Sequence, residues 1–169
     1  MPVQPVVRIG TPSLREKSLP IEPNDFGSPW LLNLVQDLWD SKEHYGGVGI
    51  AAPQIGINRR VVVFGFEQTE RYQNVDPIPF TVLCNPEIKI LDATEINAYE
   101  GCLSVGELRG EVPRPKAIAY IGFDEHGQKI EREVSDFHAR LVFHEVDHID
   151  GIIFIDRMKN IRTLGYYQR

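Results

Sequence analysis

Cysteine is scarce in this chain: Cys84 and Cys102 are the two among 169 residues. Two are too few for a disulfide framework at this length and favour an unbridged cytosolic protein. Long apolar runs are also lacking. None approaches the roughly 20 residues of a membrane-spanning helix. The stretch from Met1 to Arg8 has no apolar segment of the secretory kind. We therefore expect a cytoplasmic protein, or the mature form of an organellar one, with no membrane association. Positive charge is in deficit, since 18 Lys and Arg against 24 Asp and Glu give −6. That balance leaves no footprint for specific nucleic-acid binding. Repeats and low-complexity linkers are missing too. What is there is ordinary globular composition, 42% hydrophobic and 25% charged, at a length that fits one domain, residues 1–169. Basic residues gather only at the end, as Arg157, Lys159, Arg162 and Arg169 with no acid among them. That stretch reads as a solvated tail.

Residues 11–27 are loop-rich. Ser28-Pro29 then signals a helix start, with Ser as N-cap and Pro in the first turn. Leu31, Leu34, Val35 and Leu38 follow at helical spacing, and the helix should run to about His44 and stop before Gly46-Gly47. The middle of the chain is strand-like. Strands are predicted over 60–66, 80–84, 87–92, 94–100 and 117–123, and the turn at 124–127 returns 129–134 as a hairpin partner. Ser135 or Asp136 can cap a second helix, with Gly151 as its C-cap and a short strand over 152–155 behind it. Helix, many strands, helix is an α+β pattern with antiparallel sheets packed around a central helix.

That second helix carries His144-Glu145-Val146-Asp147-His148. Positions i and i+4 share a helix face, so His144 and His148 can address one ion. Glu145, about 100° around the axis, is placed to take a proton from a water beside that ion. The competing reading is two satisfied core histidines beside a solvent-facing glutamate. Phe137 and Leu141 continue the histidine face, which points to burial. His44, His126 and His138 have no partner at ligand spacing and read as surface or turn residues. A catalytic site needs a third protein ligand. Asp150 and Asp156 are open, but upstream Cys102 and Cys84 carry more weight. Cys84, ending an apolar strand, reads as a small buried hydrophobe. Cys102 sits among an acid, a glycine and a polar residue, which suits a ligand.

Three segments converge here: Gly47-Val-Gly-Ile-Ala-Ala-Pro-Gln54, Glu100-Gly-Cys-Leu-Ser104 and His144-Glu-Val-Asp-His148. In that order they resemble the three motifs of the peptide deformylases, G-x-G-Φ-A-A-x-Q, E-G-C-Φ-S and H-E-x-x-H, with Φ apolar. The resemblance covers nearly the whole chain, and the short ending is more similar to plant-type and mitochondrial-type members than to those with a long C-terminal helix. It implies a metal-dependent hydrolase that removes the N-formyl group from the N-terminal formylmethionine of newly made peptides and releases formate. The implied ligands are Cys102, His144 and His148. The implied ion is Fe(II), with zinc, nickel or cobalt as replacements. Glu145 is implied as the base, and the Gln54 amide and Leu103 N–H as oxyanion donors. Gly49 would let the substrate backbone approach. Val48, Ala98, Phe137 and Leu141 are implied for the methionine pocket, and Glu100 with Arg109 for a polar pair at its entrance. N-formylmethionyl peptides are the implied partners, with a transient ribosome contact left open. This chain departs from the pattern at Gly106, where many members have a proline soon after the second motif, and at Phe143, where a glutamine is common. A zincin-like metallopeptidase and an inactive metal-binding homologue that binds N-terminal peptides stand as alternatives.

Overall fold

The structure, a computed structural model, describes residues 3–68 and 75–166. The first helix, α1 (Pro29–His44), begins as its sequence predicts: the Ser28 side chain accepts from the Leu31 N–H and Pro29 occupies the first turn. Gly46, left-handed at φ 62, and the Gly47 N–H bond to the Lys42 carbonyl end it.

Six strands follow: β1 (Gly49–Ala51), β2 (Val61–Phe66), β3 (Ile78–Gly101), β4 (Leu108–Phe123), β5 (Lys129–Ser135) and β6 (Gly165–Tyr166). They pair antiparallel in the order β1-β2-β3-β4-β5, with β6 on β4. β2 is buried along its whole length. Val61 and Val63 face α1, while Val62, Phe64 and Phe66 face the second helix, α2 (Asp136–Ile149), so one apolar run serves two cores.

Three of the predicted strands, 80–84, 87–92 and 94–100, are one strand. Register shifts between Cys84 and Glu87 and on either side of Asp92 bend β3 where those strands were divided. The expected antiparallel sheets are therefore parts of one bent sheet, joined through β3 and β4. Helix α2 touches both halves, with Leu141, Val142 and Val146 in the core over β2 and Arg140 bonded to the carbonyls of Ile96 in β3 and Val112 in β4.

β4 starts nine residues earlier than predicted, through Pro113 and Pro115. The Glu111 N–H turns away from β3 to the Thr163 hydroxyl. Positions 113 and 115 share its parity, so prolines there remove no bond from the β3 ladder. The strand predicted over 152–155 is instead a short helix, α3 (Phe154–Arg157). The Asp156 carboxylate accepts from the Ile153 N–H, which closes a helical turn rather than a ladder. α2 begins at Ser135, whose hydroxyl bonds the Asp136 carboxylate rather than capping the backbone. Gly151 sits at φ 75 just past its end, and a Cβ there would lie 2.6 Å from the Arg15 carbonyl oxygen.

The tail is less solvated than expected. Arg157 pairs with Asp147, Lys159 with Glu95, and Gly165–Tyr166 adds to the edge of β4. Arg169 lies outside the described residues. Among the described residues no helix is long and apolar enough to cross a membrane.

Candidate metal centre

Ligand atoms of Cys102, His144 and His148 all lie within 4.8 Å of one another. The helix supplies the two imidazoles, ring centroids 5.1 Å apart. The thiol comes from a turn just past β3, where the Cys102 carbonyl accepts from the N–H groups of Val105 and Gly106. The Cys102 Sγ is 3.2 Å from His148 Nε2. Burial alone would raise the Cys102 pKa, but the positive charge of His148 and hydrogen bonds from both imidazoles outweigh it and hold the thiol well below its ordinary value. A thiolate with two imidazoles is a borderline-soft, three-point donor set with room for a fourth ligand, which fits a divalent transition metal.

The other candidate third ligands are engaged elsewhere. Cys84 is fully buried in the core under α1, and burial pushes its thiol up to about 12. Asp150 pairs with Arg60, and Asp156 with Arg15 and the Ile153 N–H.

Glu100 fixes the first imidazole. Its Oε2 accepts from His144 Nδ1 at 2.9 Å, which leaves Nε2 to face the thiol side. Arg114 grips the same carboxylate through Nε and Nη2 at 2.8 and 2.9 Å, and Arg140 Nη1 adds a bond at 2.7 Å. Burial would raise the Glu100 pKa, yet the Arg114 guanidinium and the His144 imidazole hold the carboxyl well below the usual range. Behind it Arg114 reaches Asp147, which Arg157 also holds. Glu100 thus forms ion pairs with Arg114 and Arg140, two partners beyond the Arg109 that its sequence suggested. Arg109 lies opposite Gly101 in the ladder, its side chain passing over that glycine. Arg140 had a readable signal, since it sits four residues before His144 on the same helix face. Arg114 had none: it follows a proline in a stretch that did not read as strand.

Glu145 is 3% exposed, not solvent-facing, and among the described residues its Oε2 has no hydrogen-bond partner. Burial pushes its carboxyl up to about 7, against the pull of the two imidazoles. A Cβ added to Gly49 would meet Glu145 Oε1 at 2.5 Å. Gly49 is therefore the seat of that carboxylate. The Gln54 side chain is anchored by accepting from the Ala51 N–H at 2.9 Å, and its amide donates to Ser104 Oγ at 3.2 Å with Cys102 Sγ at 3.5 Å.

A pocket opens beside these groups. Val48, Gly49, Gln54, Glu100, Leu103, Phe137, Leu141, His144 and Glu145 line it, together with Gly47, Tyr99, Gly101 and Arg140. Of the residues expected for the methionine pocket, Val48, Phe137 and Leu141 line it and Ala98 does not. Ala98 is half-buried opposite Val112. Tyr99, 54% exposed, stands at the wall instead. His138 is not a surface residue: it packs on Phe64 and Tyr120, and burial pushes its pKa down to about 4.

A family profile described as polypeptide deformylase matches residues 3–163. Peptide deformylase 2 of Bordetella bronchiseptica is 43% identical over 164 residues, covering 97% of this chain and 92% of that protein. Peptide deformylase 1 of Nitrosomonas europaea is 42% identical with the same coverage. Among solved structures, a Met-Ala-Ser-bound class I type b peptide deformylase from Acinetobacter baumannii superposes with a TM-score of 0.89 at 34% identity, covering 93% of this chain and 99% of that one. These relatives are bacterial.

Proposed function

The chain belongs to the polypeptide deformylase family, and from that premise we propose how its residues carry out removal of the N-formyl group from newly made peptides. The observation that carries the assignment of roles is the meeting of Cys102, His144 and His148 beside a buried Glu145 carboxylate whose Oε2 has no hydrogen-bond partner among the described residues.

Cys102, His144 and His148 would hold one divalent ion, and that ion would supply Lewis acidity toward water and the formyl oxygen. Glu145 takes the proton of the attacking water and later gives it to the leaving amine. Its raised pKa suits a group that must do both near neutral pH. The Gln54 amide, held in place through Ala51, and the Leu103 N–H receive the charge that develops on the formyl oxygen. Val48, Phe137 and Leu141 give the pocket apolar walls for a methionine side chain. Tyr99 and Arg140 also line the pocket. Arg109 sits over Gly101 near the mouth.

Fe(II) is the ion we assign from the family resemblance, with zinc, nickel or cobalt as replacements; metal analysis of anaerobically purified protein decides between them. We read residues 1–169 as one cytoplasmic catalytic domain acting on N-formylmethionyl peptides. Two of the tail's cations already face carboxylates, so any ribosome contact through it would be transient and sensitive to salt. The testing experiment is formate release from formyl-Met-Ala-Ser, lost on chelation and in Glu145→Ala. Metal-loaded protein that cleaves casein but releases no formate would favour the metallopeptidase reading. Tight peptide binding without turnover would favour an inactive homologue.

A further inference from the structure

The two oxyanion donors come from separate segments of chain. Gln54 sits in a short 3-10 turn after β1, and Leu103 in the turn that follows β3. Nothing in the covalent chain links them closely, so their spacing must be set by whatever bridges them.

The Gln54 amide itself reaches Ser104 Oγ at 3.2 Å, and the N-terminal arm adds a second bridge, between the two backbones. The Val7 N–H donates to the Gln54 carbonyl at 2.8 Å, and the Ile9 N–H to the Ser104 carbonyl at 2.9 Å. Between them Arg8 Nη1 donates to the Leu103 carbonyl at 2.7 Å. Within the turn, the Cys102 carbonyl is met by the turn's own Val105 and Gly106 N–H groups. The next two carbonyls point outward and are met by residues 8 and 9.

Gly106 gives this clamp its importance. It sits at φ 82, a left-handed conformation that a proline cannot adopt, so the turn's exit has no proline stiffening. Arg8 lies at that exit, its Nη1 3.5 Å from where a residue 106 Cβ would stand. Arg8 is itself exposed, so its bond carries little of the core's stability.

We propose that Arg8 is a positioning residue for deformylation, holding the Leu103 carbonyl so that the Cys102–Gly106 turn keeps its N–H aimed at the formyl oxygen and in register with Gln54. This rests on the reading of Leu103 and Gln54 as oxyanion donors. A donor aimed at charge that develops only in the transition state affects kcat more than substrate binding. Loosening one donor should cost less than deleting it, which typically costs about 10²–10³ in kcat.

The test compares full-length wild type, Arg8→Met and Arg8→Lys, each loaded with the same metal. It reads steady-state formate release from formyl-Met-Ala-Ser, binding of the product Met-Ala-Ser, metal content and melting temperature. The expected result for Arg8→Met is a kcat lower by about tenfold, with KM and product affinity within about twofold and unchanged metal content. Arg8→Lys, which keeps a single donor for a single carbonyl, should recover most of that loss. An Arg8→Met enzyme with kcat within about twofold of wild type overturns the inference while leaving the deformylase reading intact. So does a loss shared equally by kcat, product binding and melting temperature and not recovered by lysine, which marks a merely structural contact. A metal-loaded wild type that releases no formate overturns the reading of the site and this inference with it.

Discussion

Gly49→Ala is the sharpest probe of how the base is seated. The glycine's backbone is ordinary extended strand paired with Phe64, so alanine costs no conformational strain. The whole effect comes from the added Cβ. It would fall 2.5 Å from Glu145 Oε1, 2.8 Å from Cδ and 3.0 Å from Cγ. Ordinary van der Waals contact begins near 3.4 Å, so the carboxylate must retreat by roughly 1 Å. The atoms in the way are the end of a side chain, which rotates at small cost. Overpacking of this kind should cost about 1–2 kcal/mol of stability. Catalysis should suffer more. A displacement of that size in a catalytic group typically costs on the order of 10²-fold in rate, while Cys102, His144 and His148 keep their places and the metal stays bound. The assay is kcat/KM for formate release from formyl-Met-Ala-Ser, with metal content measured on the same samples. A double-mutant cycle on unfolding free energy isolates the cause, since alanine at position 49 should cost almost nothing further in stability once Glu145→Ala has removed the group it displaces. Full activity in Gly49→Ala, or the same stability cost in both backgrounds, would refute the seating argument.

Three further outcomes follow from the same geometry. Glu100→Gln puts an amide among Arg114, Arg140 and His144, so metal titration should give about 10–100-fold weaker affinity. Denaturant unfolding of that variant should show a loss of about 3–5 kcal/mol; wild-type affinity would mean that Glu100 does not orient His144. Lys42→Ala strips the donor from the Gly65 and Gly47 carbonyls, 3.1 and 3.4 Å away, and the cation from between the Trp39 and Phe80 rings. A lowered urea midpoint worth about 2 kcal/mol, with an unchanged m-value, is expected. His138 should titrate by NMR near pH 4, because burial and then the Arg132 charge favour its neutral form. The unfolded chain then binds more protons between about 6.5 and 4, so this residue lowers stability as pH falls through that window. His138→Phe should flatten that part of the stability–pH curve, and a His138 midpoint near 6.5 would contradict the packing.

Much of the fold was legible because the signals were local. Ser28-Pro29 and Gly46-Gly47 mark both ends of α1, and their hydrogen bonds are local in sequence. What the sequence hid depends on which way a backbone group faces. Pro113 and Pro115 argue against a strand until one knows that their side of β4 faces away from β3. Ile152 to Ile155 is apolar enough for a strand, and only the Asp156 carboxylate closing back on Ile153 makes it helical. The bends in β3 look like strand breaks because a bulge and a turn draw on similar residues.

The site divides along the same line. His144, Glu145 and His148 are spaced by the helix itself, so their convergence can be derived from a repeat of 3.6 residues. Cys102 could be weighed against Cys84 but not chosen on spacing alone, since all of residues 103–135, in turns and strands, lie between it and the helix that carries His144. The residues that were missed, Arg114, Arg140 and Ser104, all act through a second residue: on Glu100, on Glu100, and on the Gln54 amide. Gly49 was identified, but its reason was not, because a glycine shows only that something comes close and never what. Here what comes close is the buried carboxylate of Glu145, and burial is also what pushes its carboxyl up to about 7. One contact thus ties the first motif to the third: the glycine makes room for the proposed base, and the close packing that this allows excludes the water that would otherwise keep it a weak one.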